Sequence, residues 1–426
     1  MEDLQTINRR DFLKRISFFT GAAIAASSMP WLKIFNNNVY AKGPNNRVRL
    51  GFIGIGDRGK ALLMNVQSFA VQLNVEIAAI CDNYPPNYDR AVKLTEGKAK
   101  GFTDYRELLA MKDLDAVVVA TPLTEHAHIV IDALKAGLHV FCEKSMARTL
   151  DDSKKMYDAH IEAKRILQIG HQRLFSPVYI NAIEKIRREE IGQVTHMRGY
   201  WHRHGDWRRP VPAGRPDLDR VINWRLYDDL SAGLFTELLS HQLQVACWVK
   251  DSFPASVTAH GGLIYWKKNR EVYDHISCIY AFNDDSQFVY DSINTNKHYG
   301  VEEQILGTKG AMELEINKLY PEDPPPPPGI LQLIQDIEKG VFDAVPIGGA
   351  SWIPETAAKA KGSYISDNYK MDETKLQLEA FVRFIRNGSA PEELTLQGYY
   401  TTQWALLGEQ AAKTKERMKL DDKYRI

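Results

Sequence analysis

Cysteine is scarce in this chain: Cys81, Cys142, Cys247 and Cys278 are its whole complement in 426 residues. They stand too far apart for a CxxC metal site or a disulfide scaffold. No apolar run reaches the ~18 residues that a membrane span requires. An excess of charge is missing as well, because 54 Lys and Arg balance 54 Asp and Glu. That balance gives no electrostatic case for nucleic acid or an anionic membrane as the main partner. Nor does any segment recur with a period of about 20–50 residues, which sets aside solenoids and propellers. What remains is an ordinary globular balance, 44% hydrophobic and 25% charged. The length allows two or three domains, each able to bury its own core.

The first forty or so residues read as an address rather than as fold. Arg9-Arg10-Asp11-Phe12-Leu13-Lys14 precedes a short, mostly apolar stretch from Ile16 to Met29. A basic region followed by a soft apolar one is the layout of an export signal, and the paired arginines match the twin-arginine type. Small residues in Val39-Tyr40-Ala41 put the expected cleavage after Ala41. The expected location is therefore periplasmic, and a folded protein exported by that route can carry its cofactor with it.

A nucleotide-binding pattern begins directly afterwards. Val48 to Ile53 is a continuous apolar run of strand length, as in buried parallel strands. It enters Gly54-Ile55-Gly56-Asp57-Arg58-Gly59, a complete GxGxxG, and then a helical segment. Gly54 would permit the tight turn, Gly56 the approach of backbone amides to a pyrophosphate, and Gly59 close helix packing. The helix N-terminus supplies aligned N–H donors for phosphate charge. A second apolar strand, Val75 to Cys81, ends in Asp82, where a carboxylate accepts ribose hydroxyls and repels a 2′-phosphate. NAD is thus preferred, with NADP possible because Arg58 stands nearby. Further strands are expected at 115–120 and 138–142, separated by a helix that Gly137 caps. This alternation implies a doubly wound parallel sheet whose ligands sit at the strands' carboxyl ends, near Asp82, Thr121-Pro122 and Lys144.

The string Ala120-Thr121-Pro122-Leu123-Thr124-Glu125-His126-Ala127-His128, then Ala133 to Val140 and Glu143-Lys144, carries a resemblance. The chain resembles the glucose–fructose oxidoreductase and inositol dehydrogenase (Gfo/Idh/MocA) family from Arg47 to roughly Gly310. Ser145 follows the lysine where the family carries proline. Glu237-Leu238-Leu239-Ser240-His241 matches the family's Asp-x-x-x-His, with glutamate in place of aspartate. Gly170-His171-Gln172-Arg173 and Ile191-Gly192-Gln193-Val194 match landmarks that open the second domain. The resemblance implies Lys144, His241 and Glu237 as catalytic residues. It implies Gly54, Gly56, Asp57, Arg58, Gly59, Asp82, Thr121, Pro122, His126, Glu143 and Lys144 around the cofactor. It also implies a homo-oligomer.

Oxidising a carbinol needs a hydride acceptor, a base for the hydroxyl proton and a donor to the oxygen. His241 suits the base because imidazole titrates near working pH. Glu237, four residues earlier on a helix, would lie on the same face and could orient the ring. Lys144 would hydrogen-bond the reacting oxygen. The polar-aromatic segment Tyr200 to Arg209, with Asn223-Trp224-Arg225, reads as a substrate rim. Within and near it, Arg173, Trp201, His202, His204, Trp207 and Arg225 are the candidates for substrate contact. His202, His204 and Asp206 have a spacing that admits a metal trio, but the flanking arginines argue against one, and no metal is expected.

Strand-like alternations at 194–200, 256–265, 276–282, 287–293, 302–307 and 311–316 predict an open, mainly antiparallel sheet with helices on one side. The expected layout is a signal at 1–41, a Rossmann domain at 42–148 and a substrate and oligomerisation domain at 149–426. Its final amphipathic helices could pack back on the first domain. Pro324 to Pro328 reads as a rigid insertion loop. The expected function is an exported nicotinamide-dependent oxidoreductase acting on a carbohydrate CH–OH, its cofactor bound tightly and recycled in place. A glycoside-cleaving or epimerising enzyme without net redox is the alternative, and a periplasmic sugar-binding sensor is the rival from another class.

Overall fold

The computed structural model describes residues 47–322, 362–367 and 371–426. The segment read as an export signal and the proline run lie outside the described residues. Strand β1 (Val48–Ile53) enters helix α1 (Asp57–Phe69), followed by β2 (Val75–Cys81), α2 (Pro85–Leu94), β3 (Lys100–Phe102), α3 (Tyr105–Leu109) and β4 (Ala116–Val119). Helix α4 (His126–Lys135), β5 (His139–Cys142), α5 (Leu150–Ala163) and β6 (Leu167–Ile169) complete the first half. The six strands pair in the order β3-β2-β1-β4-β5-β6, and every pairing is parallel. That is the doubly wound order whose switch point lies between β1 and β4. Side chains such as Phe52, Val117, Val118 and Val119 are buried on both faces, which is why these strands read as unbroken apolar runs. The sheet takes its last strand from Leu167–Ile169, so the first domain runs past the limit at residue 148 expected from the sequence.

Helix α6 (Pro177–Arg187) leads to the second sheet: β7 (Val194–His202), β8 (Ser256–Gly262), β9 (His275–Ala281), β10 (Gln287–Ile293), β11 (Val301–Gly307), β12 (Gly310–Glu313), β13 (Lys318–Pro321) and β14 (Ser363–Tyr364). Helix α7 (Ser240–Lys250) falls between β7 and β8. The order is β14-β13-β12-β11-β7-β10-β9-β8, antiparallel except for the β7–β10 pair. Strand β9 shows why: Ile276, Cys278 and Tyr280 point into the core while Ser277 and Ile279 point outward. One face is therefore covered and the other is not. The cover includes α7 and α9 (Glu392–Thr414), which follows α8 (Glu373–Asn387). Tyr280 donates its hydroxyl to the Trp404 carbonyl (3.1 Å), and a Cβ on Gly408 would come within 2.5 Å of that hydroxyl oxygen. Only glycine lets the helix lie this close.

Helix α8 returns to the first sheet. Phe381 meets Phe141 edge-on at 5.8 Å, and Gln168 Nε2 donates to the Gln377 carbonyl at 3.1 Å. Between the two sheets, Arg148 forms a forked pair with Glu409 and reaches the Asp228 carbonyl. The Met146 amide donates to Thr402 Oγ1 at 2.9 Å. Such buried bonds fix how the two halves face one another.

Candidate active site

The glycine turn is built for three separate reasons. Gly54 has φ +85, and a Cβ there would lie 2.8 Å from the Ala120 carbonyl. A Cβ on Gly59 would lie 1.9 Å from Gly54 O, so helix α1 can abut the turn only without a side chain. Gly56 differs, because a Cβ there would meet nothing within 4 Å. Protein packing does not require glycine at this position; a ligand phosphate that needs the open space does. Gly56 is also the N-cap of α1 and provides no side-chain cap, leaving first-turn N–H groups to a ligand. These residues fit a dinucleotide pyrophosphate.

A cleft of about 520 Å³ runs from this turn along the carboxyl ends of the strands. Gly54, Gly56, Asp57, Arg58, Asp82, Thr121 and Pro122 line it, all anticipated from the sequence. Asp82 accepts the amides of Ile55 (2.6 Å) and Tyr84 (2.9 Å), tying the end of β2 to the turn. Burial raises its pKa although those bonds and Arg90 oppose the shift. Arg58 turns away from the cleft's acid, its Nε donating to Glu143 Oε1 at 2.8 Å.

His126 turns both ring nitrogens to backbone carbonyls rather than into the cleft. It is 2% exposed, with Nδ1 3.0 Å from the Ser145 carbonyl oxygen and Nε2 3.0 Å from that of Thr121. It locks two strand-end loops together. Glu143 is likewise buried and serves by holding Arg58.

Beyond Glu143 the chain delivers Lys144 to the second domain. Its Nζ donates to the carbonyls of Thr236 (3.0 Å) and Glu237 (2.9 Å). These carbonyls belong to a π-helical turn, Phe235–Leu239, that runs straight into α7 and His241. Such wide turns release carbonyls from the regular ladder and recur at functional sites. Ser145, standing where the family carries proline, donates its hydroxyl to the same Thr236 carbonyl at 3.1 Å. An ammonium has three donors, so Lys144 keeps one for a ligand. Burial lowers its pKa, an effect that Glu237 and Glu143 partly offset.

His241 lies beside Trp201, ring centroids 5.6 Å apart, and edge-on to His171 at 6.4 Å. Burial, then the charges of Lys144 and Arg173, hold its pKa well below the ordinary value of 6.5. The imidazole is neutral, which is the state that accepts a proton. Glu237 does not orient it, contrary to the helix-face expectation. The wide turn breaks the four-residue spacing, and the Glu237 carboxylate takes Arg225 Nε at 2.6 Å instead. Burial opposes the charge on Glu237, but Arg225 and Lys144 outweigh it and its pKa is lowered.

A second cavity, of about 420 Å³, joins the first, and both have Arg209, Ile222 and Arg225 in their walls. Trp201, Trp207, Arg225, Glu237 and His241 line it as the sequence suggested, together with Arg203, Arg208, Arg209 and Asn223. Three candidates lie elsewhere. Arg173 is 5% exposed and bound by Glu303 (2.8 Å) and Glu315, so it is a core ion pair. His202 pairs with Asp291 on the adjoining strand, on the opposite side of β7 from Trp201. His204 turns its Nδ1 to the Thr295 carbonyl (2.9 Å) and its ring to Trp266. Among the described residues no cluster of three or more His, Cys, Asp or Glu could hold a metal ion.

His171 escaped the sequence reading as a site residue. It is 1% exposed, neither ring nitrogen has a hydrogen-bond partner among the described residues, and burial with Lys144 and Arg173 pushes its pKa to about 3. Its motif neighbours were legible; its place behind His241 was not.

The fold and cleft define an NAD-binding oxidoreductase architecture. Residues 48–171 match the model of the oxidoreductase family with an NAD-binding Rossmann fold, and residues 179–313 match the Gfo/Idh/MocA C-terminal domain. The chain belongs to the Gfo/Idh/MocA oxidoreductase family. Among solved structures, levoglucosan dehydrogenase in complex with NADH and levoglucosan superposes with a TM-score of 0.67 at 20% identity, covering 88% of this chain and 99% of that one. The apo scyllo-inositol dehydrogenase from Lactobacillus casei gives 0.63 at 20%, covering 88% and 98%. Curated relatives include a glycosyl hydrolase family 109 protein of Shewanella sp. (strain ANA-3), 27% identical over 48% of this chain and 50% of its own length. An alpha-N-acetylgalactosaminidase of Shewanella oneidensis is 27% identical over 59% and 62%. The chain thus spans about half the length of the curated relatives it matches, somewhat more for the last.

Proposed function

We propose that this chain is an exported oxidoreductase acting on a CH–OH group of a sugar, polyol or glycoside, with NAD held tightly and recycled in place. The observation that carries the reading is a convergence. The Lys144 ammonium is anchored on the Thr236 and Glu237 carbonyls, one turn ahead of His241, near enough for its charge to help depress that imidazole's pKa. His241 in turn lines the cavity that shares Arg209, Ile222 and Arg225 with the dinucleotide cleft. Bound NAD supplies a hydride acceptor at the substrate carbon. Lys144 donates its remaining N–H to the substrate oxygen and stabilises developing alkoxide charge. His241 accepts the hydroxyl proton at a ring nitrogen, its lowered pKa keeping the ring unprotonated and available for that proton. Trp207 offers a face for a sugar ring. NAD is favoured over NADP because Asp82 ends β2 and Arg58 is engaged by Glu143.

Export rests on Arg9-Arg10 and the apolar stretch behind them. An enzyme leaving the cytoplasm with its dinucleotide must restore it after each turnover. A second reading meets that need directly: transient oxidation that activates a glycosidic bond and is then reversed. The names of the family 109 relatives favour it. Two measurements separate the possibilities. Denaturing the exported protein should release a dinucleotide, whereas an empty enzyme that needs added cofactor would overturn recycling. With aryl glycosides, phenol release without net cofactor reduction means cleavage, and net reduction means dehydrogenation.

A further inference from the structure

The cavity beside His241 is unusually rich in one charge. Arg203, Arg208, Arg209 and Arg225 line it against a single carboxylate, Glu237. Three of these arginines are paired: Arg225 with Glu237 at 2.6 Å, Arg209 with Asp57 at 2.8 Å, and Arg208 with Asp219 at 3.2 Å. Arg203 has no carboxylate partner among the described residues; its guanidinium rests on the Trp201 ring, 4.7 Å from the centroid. It is exposed and so can meet a ligand. Counting the lining residues with their direct partners, four cations face three anions, and Arg203 is the one left over. With His241 neutral, nothing else in the lining adds charge. Trp201 touches both groups, so whatever Arg203 holds lies one aromatic ring away from the base.

We propose that this cavity takes a carbohydrate carrying an oxyanion substituent, a carboxylate or a sulfate, and that Arg203 reads that group. A guanidinium offers a planar fork of donors matched to such oxygens, and its stacking on Trp201 fixes the fork in advance. A neutral hydroxyl at the same point would leave the fork's charge unanswered. The proposal rests on the reading of this cavity as the substrate site.

The test uses the full chain with its dinucleotide bound. The probes are methyl glucoside and methyl galactoside of both anomers, the matching methyl uronosides and the 6-O-sulfates. Calorimetric titration reads binding, and nicotinamide absorbance reads hydride transfer. At least one uronoside or sulfate should bind about tenfold more tightly than its neutral parent, a difference of about 1.4 kcal/mol. R203Q should remove most of that ratio, R203K, which keeps the charge but lacks the planar fork, should keep only part of it, and added salt should shrink it. Preference confined to the uronosides identifies a carboxylate, and preference confined to the sulfates identifies a sulfate. Equal binding of charged and neutral members, or a preference that survives R203Q, overturns the proposal. Hydride transfer to neutral sugars would then leave the oxidoreductase reading standing. Conversely, Arg203-dependent anion binding without hydride transfer to any probe supports the anion site and overturns that reading.

Discussion

Replacing Lys144 by Met tests the centre of the argument, because the structure separates what the lysine does for the fold from what it does for chemistry. Methionine keeps much of the aliphatic bulk and removes the ammonium. The Thr236 carbonyl then still receives the hydroxyls of Ser240 (2.7 Å) and Ser145 (3.1 Å). The Glu237 carbonyl loses the lysine contact. One orphaned acceptor costs about 1–3 kcal/mol, so the variant should fold with a lowered urea midpoint. Loss of a donor to developing oxyanion charge costs far more in rate, about 10²–10³ in kcat, or roughly 3–4 kcal/mol of activation free energy. Single-turnover hydride transfer, followed by nicotinamide absorbance on dinucleotide-loaded protein, reads the second effect; urea unfolding reads the first. A third readout follows from charge. Lys144 helps to hold down the pKa of His241, so K144M should let that pKa climb back toward 6.5. Activity that needs neutral His241 is lost as pH falls, so the acid limb of kcat/KM should move to higher pH in the variant. Hydride transfer within threefold of wild type, with an unmoved acid limb, would refute the assignment.

Two further outcomes follow from the same structure. Glu302 is 4% exposed beside Glu303 and Glu315, and burial first, then these neighbours' charges, raise its pKa to about 8. Its folded pKa lies above its unfolded one, so the stability it contributes is full below the unfolded value of 4.5 and is lost as pH rises toward 8. The unfolding free energy from urea titrations should therefore fall over that window by up to about 1.4 kcal/mol per pH unit, and E302Q should flatten the slope; a variant as pH-sensitive as wild type contradicts this. Hydrogen exchange should be faster from Trp207 to Ile222 than from Ser145 to Arg148. The first stretch is held to the opposite wall by the exposed Arg209–Asp57 pair, while the second is bonded to Thr236, Thr402 and Glu409. Equal protection would count against that contrast.

The nucleotide half was legible because everything that defines it is local. Strand, glycine turn, helix and Asp82 fall within one stretch of sequence, and each glycine's constraint comes from atoms of that unit or the neighbouring strand end. Lys144 and His241 were marked by resemblance, and the fold brings them together through a turn whose width no periodicity announced. Failures came where residue type was visible but its partner was not. Arg173 looked like a sugar contact until β11 and the turn beyond β12 brought Glu303 and Glu315 against it. His202 and Trp201 are neighbours in sequence, yet strand alternation sends one to the outer face and the other to the cavity. Arg209 reaches Asp57 across the cleft, and nothing in the aperiodic segment between β7 and the wide turn signals that reach.

The pairing of Glu237 with Arg225 bears on how the base works. A carboxylate bonded to His241 would raise its pKa and stabilise the imidazolium formed on proton uptake. Placed instead on Arg225, Glu237 neutralises a cation of the cavity and offsets the burial of Lys144, while His241 is left to the fields of Lys144 and Arg173. The imidazole is thereby kept in its accepting form, and the imidazolium made on proton uptake is costly among those charges. On the proposed chemistry, a base whose conjugate acid is disfavoured gives the proton back readily. That property suits an enzyme that oxidises a carbinol only to reduce it again, and it ties the electrostatics of one histidine to the need to recycle a captive cofactor.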